Sequence, residues 1–204
     1  MSNPLRLYYA PHVCSLAPHI ALREAGAPFE LVRVDLRTRK TADGGDFMAL
    51  NPKGYVPALT LPDGSLLTET AVILHYVADT WQEAGLAPRH GLERLRFDEL
   101  LQFIATELHK GFAPFTLMPN PSEETKRWAA DRLAARVALL AATLGDREFI
   151  QGTSFTVADA YAFFALRTYS ALLKAELPAS LAAYLKRLSE RPSVRAALQA
   201  EAAR

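Results

Sequence analysis

Cys14 is the only cysteine among the 204 residues of this chain, and it lies where a predicted strand turns into a predicted helix. Apolar alternation from Leu5 to Tyr9 predicts the strand, and apolar residues at helical spacing from Leu16 onward predict the helix. A sulfur beside the free N–H groups at the start of a helix feels the positive end of the helix dipole, which favours thiolate over thiol. Cys14 is therefore a candidate reactive group, with Ser15 beside it at the same helix start. The alternative is that a lone cysteine is a small buried apolar residue.

Glu69 and Thr70 form a second candidate site, because they begin a predicted helix directly after a predicted strand. Backbone N–H groups and the helix dipole at that position hold a carboxylate, while the Glu69 carboxylate pairs with an ammonium group. Together the two residues suit the head of an α-amino acid. The alternative is that Glu69 only complements the helix dipole.

Val56 and Pro57 introduce the strand of a predicted hairpin. A cis bond between them would leave the N–H and C=O of Val56 facing outward, free to pair with an extended peptide. This expectation depends on the fold, since the dipeptide alone does not predict a cis bond.

Gln102, Thr106 and His109 are spaced i, i+4 and i+7 on a predicted helix, with Glu107 beside them. Residues at this spacing share one helix face. Such a polar stripe is either solvated surface or the wall of a cleft between two domains. His109 is the member suited to proton transfer, because imidazole gains and loses a proton near neutral pH. The alternative is that His109 is structural or merely exposed.

Composition excludes several classes of function. Lysine and arginine number 23 against 22 acidic residues, so no long-range field recruits nucleic acid or an anionic membrane. A single cysteine excludes an internal disulfide framework, and the N-terminus leads into a strand rather than a secretion signal, so we expect a cytoplasmic protein. No metal site is expected, because four histidines show no ligand spacing with one another or with Cys14: His12, His19, His75 and His90.

The order of predicted elements indicates two domains. Residues 1–80 read as a βαβ unit followed by a ββα unit, residues 81–91 as a linker, and residues 92–204 as helices alone. This order is that of an α/β thioredoxin-like N-terminal domain followed by an all-α C-terminal domain. The parallel strands of the βαβ unit are expected to have a right-handed crossover.

Five motifs occur in order along nearly the whole chain. They are Tyr-Tyr-x-Pro-x-x-Cys-Ser-Leu-x-Pro-His at 8–19, Lys40-Thr41-x-x-Gly44, Asn51-Pro52-Lys53-Gly54-x-Val56-Pro57, Glu107-x-His109-Lys110-Gly111 and Thr156-Val157-Ala158-Asp159-Ala160-Tyr161. In combination they resemble the beta class of bacterial glutathione transferases. The resemblance implies the glutathione transferase fold, a homodimer, glutathione as co-substrate and a small hydrophobic electrophile as second substrate.

The resemblance also implies roles for individual residues in the first domain. It places the glutathione thiol beside Cys14, with which it can form a mixed disulfide. The cysteinyl backbone of glutathione would pair with Val56 before a cis Pro57. The γ-glutamyl head would meet Glu69 and Thr70, with help from the neighbouring subunit.

In the second domain, the resemblance makes Gln102, Thr106, Glu107 and His109 complete the pocket near the sulfur. Two positions of the first domain depart from the family pattern. Arg39 stands where a lysine is common and would serve the glycyl carboxylate, with the same charge but a different geometry. His12 stands where a small residue is usual, and it would narrow the pocket or add a donor.

Three functions follow as hypotheses. In the first, the helix start near Cys14 and Ser15, together with His109, stabilises the thiolate of glutathione, which attacks an electrophile held against the helical domain. The second is glutathione-dependent thiol-disulfide exchange, restricted to monothiol chemistry because the Cys-x-x-Cys pattern lacks its second cysteine. The third is a non-catalytic protein that binds hydrophobic ligands, because fold alone does not determine function.

Overall fold

A mixed five-stranded sheet forms the centre of the first of two units in the computed structural model, which describes residues 4–203. The strand order is β3-β2-β1-β4-β5, and the strands are β1 (Leu5–Tyr9), β2 (Phe29–Asp35), β3 (Lys40–Thr41), β4 (Ala58–Thr60) and β5 (Leu66–Thr68). β1 pairs with β2 in parallel, while all other neighbours are antiparallel. The parallel pair confirms the predicted βαβ unit.

Four α-helices belong to this unit. They are α1 (Leu16–Glu24), α2 (Phe47–Leu50), α3 (Thr70–Thr80) and a C-terminal helix, α9 (Pro192–Ala202). Helix α1 buries an apolar face that includes Leu16 and Ile20, and it packs against both α3 and α9. The chain leaves α1 through Gly26 at φ 63°, a left-handed conformation that glycine adopts without a steric penalty.

The second unit, residues 88–190, contains no strand among the described residues and is built from helices. Its α-helices are α4 (Gly91–Phe103), α5 (Ala113–Thr116), α6 (Glu123–Leu144), α7 (Val157–Leu173) and α8 (Ala179–Ser189). Between α4 and α5 the chain forms a π-helix, Ile104–His109, and a 3₁₀ turn, Lys110–Phe112. The predicted apolar stripe of this region is buried throughout: Phe97, Leu100, Leu101, Ile104 and Leu108.

The predicted capping box opens α7. Thr156 and Asp159 bond each other's backbone reciprocally, and the fully buried Asp159 also accepts hydrogen bonds from the Ile150 N–H and the Tyr184 hydroxyl, the latter at 2.6 Å. Burial raises the pKa of Asp159 above its ordinary value, although these hydrogen bonds oppose the shift. The capping box therefore also joins α7 to α8.

The division between the two units differs from the sequence-based limits at the C-terminal end. The helical periodicity predicts a helical domain of residues 92–204, whereas residues from Arg191 onward pack with the first unit. Arg191 and Ser193 bond the Glu24 carboxylate at the end of α1. Periodicity identifies α9 as a helix, but it carries no information about which partner covers its apolar face. Within residues 4–203, no helix is both long enough and apolar enough to cross a membrane.

Candidate active site

The thiol of Cys14 lies against the loop that precedes β4. Its Sγ donates a hydrogen bond to the carbonyl oxygen of Val56 at 3.2 Å, and the residue is only 9% exposed. The bond between Val56 and Pro57 is cis, as the fold predicted. The structure therefore brings together three predicted site residues that lie about 40 positions apart in the sequence. A carbonyl oxygen has two lone pairs, so Val56 keeps the capacity to accept a second hydrogen bond.

The start of α1 differs in one respect from the expectation. The N–H of Leu16 donates to the carbonyl of Val13 at 2.9 Å, and the N–H of Ala17 donates to the carbonyl of Cys14 at 3.2 Å. Pro18 has no N–H. The N–H groups of Leu16 and Ala17 are thus not free to bind a sulfur, because the carbonyls of a preceding turn accept their hydrogen bonds, whereas the dipole of the helix still favours a thiolate at its start.

Ser15 was expected beside the reacting sulfur, and its contacts indicate a different role. Its side chain is fully buried, and its hydroxyl donates to the Ala10 carbonyl at 3.1 Å while accepting from the Ala10 N–H at 3.2 Å. These two bonds join the start of α1 to the end of β1. The hydroxyl therefore holds the loop that carries Cys14.

Glu69 immediately precedes α3, as predicted, and adopts an unusual left-handed conformation with φ 71°. Its exposed carboxylate lies 3.1 Å from the Nζ of Lys53, which also donates to the hydroxyl of Thr68 at 2.9 Å. Thr70 is buried in the first turn of α3. The carboxylate thus pairs with the ammonium of Lys53, and its pairing with the ammonium of an α-amino acid stays a prediction.

Arg39 reaches the same loop from the other side. It is half-buried at φ 58°, and its guanidinium donates to the carbonyl oxygen of Gly54 at 2.5 Å. Lys53, Gly54 and Val56 are therefore each contacted by a different predicted site residue. In the first unit, the loop of residues 51–57 is the feature on which Cys14, Arg39 and Glu69 converge.

His109 is oriented by aromatic residues of α7. Its Nδ1 lies 2.8 Å from the hydroxyl of Tyr161, and its ring meets Phe164 edge-on, with centroids 5.1 Å apart. His109 is half-buried, whereas Tyr161 is fully buried. The imidazole is therefore held in a defined orientation with one nitrogen engaged.

Glu107 and His109 contact different helices, although the resemblance placed both near one sulfur. One oxygen of the Glu107 carboxylate accepts from Arg132 and from Arg136, both on α6 and both at 2.6 Å. The hydrogen bond from Arg136 holds the pKa of Glu107 below its ordinary value. Glu107 therefore attaches the π-helix to α6, while His109 attaches it to α7.

Gln102 and Thr106 are both exposed. The hydroxyl of Thr106 donates to the backbone carbonyl of Gln102 at 2.9 Å, so its hydrogen bond stays within its own helical segment. The ideal spacing of the polar stripe does not hold beyond this point, because the π-helix from Ile104 to His109 has more residues per turn than an α-helix.

No group of three or more potential metal ligands occurs within the part of the chain that the structure describes. The expectation that the protein binds no metal stays a prediction.

Comparison with known proteins identifies the family. The glutathione S-transferase N-terminal domain matches residues 13–80, and the glutathione S-transferase C-terminal domain matches residues 103–192. The glutathione S-transferase GstA of Escherichia coli O157:H7 is 45% identical to this chain over 97% of this chain and 98% of its own length. The chain belongs to the glutathione S-transferase family.

Solved glutathione S-transferase structures support the same assignment. A ternary complex of BphK, a bacterial member, superimposes with a TM-score of 0.92 at 44% identity, covering 97% of this chain and 99% of that chain. A beta-class enzyme from Sphingomonas chungbukensis superimposes with a TM-score of 0.89 at 45% identity, covering 96% of this chain and 98% of that chain. A sphingomonad enzyme complexed with glutathione superimposes with a TM-score of 0.90 at 45% identity, covering 97% of this chain and 98% of that chain. The resemblance to the beta class and the predicted fold are confirmed.

Sequence reasoning missed two residues of this glutathione S-transferase that contact predicted site residues. Lys53 pairs with Glu69, and Tyr161 contacts His109. Both lie within the quoted motifs, so the motifs were the available signal. Neither residue stands out by type, because lysine is common on surfaces and tyrosine is common in the core of a helical domain.

Proposed function

We propose that this glutathione transferase joins the thiol of glutathione to small hydrophobic electrophiles. The observation that carries the proposal is the contact between the Cys14 thiol and the Val56 carbonyl, beside Pro57. It places a backbone group that can pair with an extended peptide next to a reactive sulfur, within reach of the thiol of a cysteine-containing peptide paired there.

The remaining groups of glutathione match the first unit. The γ-glutamyl ammonium pairs with Glu69, whose second oxygen is available beside Lys53, and the γ-glutamyl carboxylate lies at Thr70 at the start of α3. Arg39 takes the glycyl carboxylate, and the cysteinyl backbone pairs with Val56. Glu69 and Arg39 contact the loop of residues 51–57, to which Val56 belongs, and Thr70 directly follows Glu69, which supports one continuous peptide site.

In this proposal, His109, Gln102 and Thr106 bind glutathione near its sulfur, and the helical unit holds the electrophile. His109 stabilises the thiolate by holding the proton that the glutathione thiol loses. The thiolate then forms a carbon–sulfur bond with the electrophile, and the leaving group departs with its electron pair. Ser15 acts by positioning the loop of Cys14. Direct contact of Glu107 with glutathione stays a prediction, since two arginines already bind its carboxylate.

The position of Cys14 also favours a second activity, thiol-disulfide exchange. The Cys14 thiolate would attack the glutathionyl sulfur of a mixed disulfide, expelling the other thiolate and forming a disulfide with glutathione. A second glutathione thiolate would then release oxidised glutathione and restore Cys14. A single cysteine suffices for this cycle.

We further propose a cytoplasmic homodimer in which the neighbouring subunit helps to bind the γ-glutamyl head. Two leucines on α4, Leu92 and Leu95, are 68% and 64% exposed and lie three positions apart on the helix. Large exposed apolar side chains at such spacing are typical of an interface. Light scattering tests this proposal: Leu92→Glu with Leu95→Glu yields a monomer, whereas Leu139→Glu on α6 leaves the dimer intact.

The deciding experiment incubates the protein with glutathione and a panel of electrophiles and mixed disulfides. Cys14→Ala is expected to lose thiol exchange but to retain conjugation, whereas His109→Ala loses mainly conjugation. His90→Ala, which removes an exposed imidazole, is the matched control and retains both activities. Glutathione binding without any turnover would establish the non-catalytic alternative, and failure to bind glutathione would contradict the proposal.

A further inference from the structure

A buried carboxylate of the C-terminal helix reaches the loop that carries Cys14. Glu201 on α9 is 1% exposed, and its Oε2 accepts a hydrogen bond of 2.8 Å from the backbone N–H of His12. Its Oε1 lies 2.9 Å from the Nδ1 of His19 on α1, which is also fully buried. One side chain thus binds the loop after β1 and the helix that follows it. The conjugation mechanism proposed above uses none of these three residues.

The third contact of this network determines the protonation of His19. The Nε of Arg23 donates to the Nε2 of His19 at 2.8 Å. A guanidinium has no acceptor, so Nε2 must be the unprotonated nitrogen of the ring. The proton then resides on Nδ1, which donates it to Glu201. His19 is therefore a neutral link between Arg23 and the Glu201 carboxylate.

The loop needs such a link because of its backbone conformation. His12 has φ 63°, in the left-handed region that residues other than glycine seldom adopt. Its imidazole is exposed, and the contact with Glu201 is made by its backbone N–H. Left-handed conformations of this kind persist where the surrounding structure holds them. Here the group that holds it is the buried side chain of Glu201, which binds the backbone of a residue two positions before Cys14.

We propose that Glu201 is a positioning residue that fixes the loop after β1 and thereby keeps the Cys14 thiol on the Val56 carbonyl. Replacement of its carboxylate by an amide leaves an acceptor oxygen for only one of two buried donors, the His12 N–H and the His19 Nδ1–H, and turns an N–H group toward the other. The loop then leaves the left-handed conformation, and the thiol separates from Val56. The consequence for glutathione binding rests on the proposed function, whereas the effect on the thiol does not.

Labelling of Cys14 tests the proposal directly, because the chain has no other cysteine. A neutral aromatic disulfide is added without glutathione, and the labelling rate is measured well below the melting temperature. Glu201→Gln is expected to label at least about fivefold faster than wild type, because thiol reactivity follows access. Glu201→Asp keeps a carboxylate and is expected to label more slowly than Glu201→Gln.

Val194→Ala is the matched control, since it truncates a fully buried side chain on the same helix. It lowers stability without removing a hydrogen bond to the loop, and its labelling rate is expected to stay close to that of wild type. Equal labelling rates for Glu201→Gln and Val194→Ala would overturn the proposal, as would equal rates for Glu201→Gln and Glu201→Asp.

A measurement on the wild-type protein covers the case in which the Glu201 variants do not fold. Nitrogen-15 NMR of the imidazoles is expected to show His19 as the neutral tautomer protonated on Nδ1, and a proton on Nε2 would contradict the network. Where the variants fold, Glu201→Gln is expected to raise the KM for glutathione about fivefold, with a smaller change in kcat, as loss of ground-state binding does. If the protein binds no glutathione, the proposed function fails while the labelling result still stands.

Discussion

His109 and Tyr161 are 52 residues apart in sequence, and the imidazole Nδ1 lies 2.8 Å from the phenol oxygen. The phenol is buried in α7, while the imidazole is half-buried at the end of the π-helix. Either group can donate this hydrogen bond, so its direction and the protonated nitrogen of His109 depend on each other. The buried partner therefore holds the orientation of the proposed acid-base residue.

Tyr161→Phe is expected to reduce conjugation more than it reduces stability. Loss of one buried hydrogen bond costs about 1 kcal/mol of unfolding free energy. Release of His109 is expected to lower kcat/KM for conjugation about tenfold and to shift its pH profile. Urea unfolding measures the change in unfolding free energy, and steady-state kinetics across pH measures the change in kcat/KM and its pH profile. Tyr169→Phe, on the same helix, is the control, and an equal kinetic loss there would contradict a specific role for Tyr161.

Glu107→Gln is expected to remove a pH-dependent contribution to stability. The hydrogen bond from Arg136 holds the pKa of Glu107 below its ordinary value of 4.5. A carboxylate whose pKa is lower in the folded state stabilises the protein fully above 4.5, and this contribution is lost as pH falls through the folded value. Wild type should therefore exceed Glu107→Gln in unfolding free energy at pH 7, with the difference shrinking on acidification.

The control for this variant is Glu99→Gln, which removes an exposed pair with Arg96 on α4. Such surface pairs contribute little to stability, so its unfolding free energy should match wild type at each pH. Glutathione KM separates the two roles considered for Glu107. A large increase in KM in Glu107→Gln would show that the carboxylate binds glutathione as well as α6.

Glu69→Gln is expected to weaken glutathione binding with little effect on the chemical step. A hydrogen bond to a charged group contributes about 1.5 to 3 kcal/mol, so KM for glutathione should rise at least about tenfold while kcat changes much less. Glu30→Gln makes the same change of charge at an exposed residue of β2 paired with Arg6. A comparable KM increase in Glu30→Gln would indicate a general effect of charge rather than a contact with the ligand.

Asp159→Ala is expected to destabilise the protein severely. The substitution leaves buried donors of Ile150, Thr156 and Tyr184 without an acceptor, which costs at least about 3 kcal/mol in total. Tyr184→Phe removes a single partner and should cost about 1 kcal/mol. Asp131→Ala, an exposed change on α6, should stay within about 0.5 kcal/mol of wild type in the same urea titration.

Local sequence signals predicted the regular elements well. Apolar alternation predicted β1, and the Thr156 and Asp159 capping box predicted the start of α7, because both patterns act within a few residues of the backbone. The same reasoning did not assign α9 to the first unit. Its apolar face has helical spacing whichever partner covers it, so the choice of α1 depends on contacts across the fold.

The sequence by itself determined the two kinds of domain, the single thiol at the start of α1 and the motifs of the glutathione transferase family, since each is encoded in residue type and short-range spacing. Only the tertiary structure decided that Cys14 donates to Val56, that Glu107 and His109 contact different helices, and that Glu201 binds the loop before the thiol. These contacts depend on left-handed backbone positions, a π-helix and a cis bond, whose positions along the chain follow from packing rather than from periodicity.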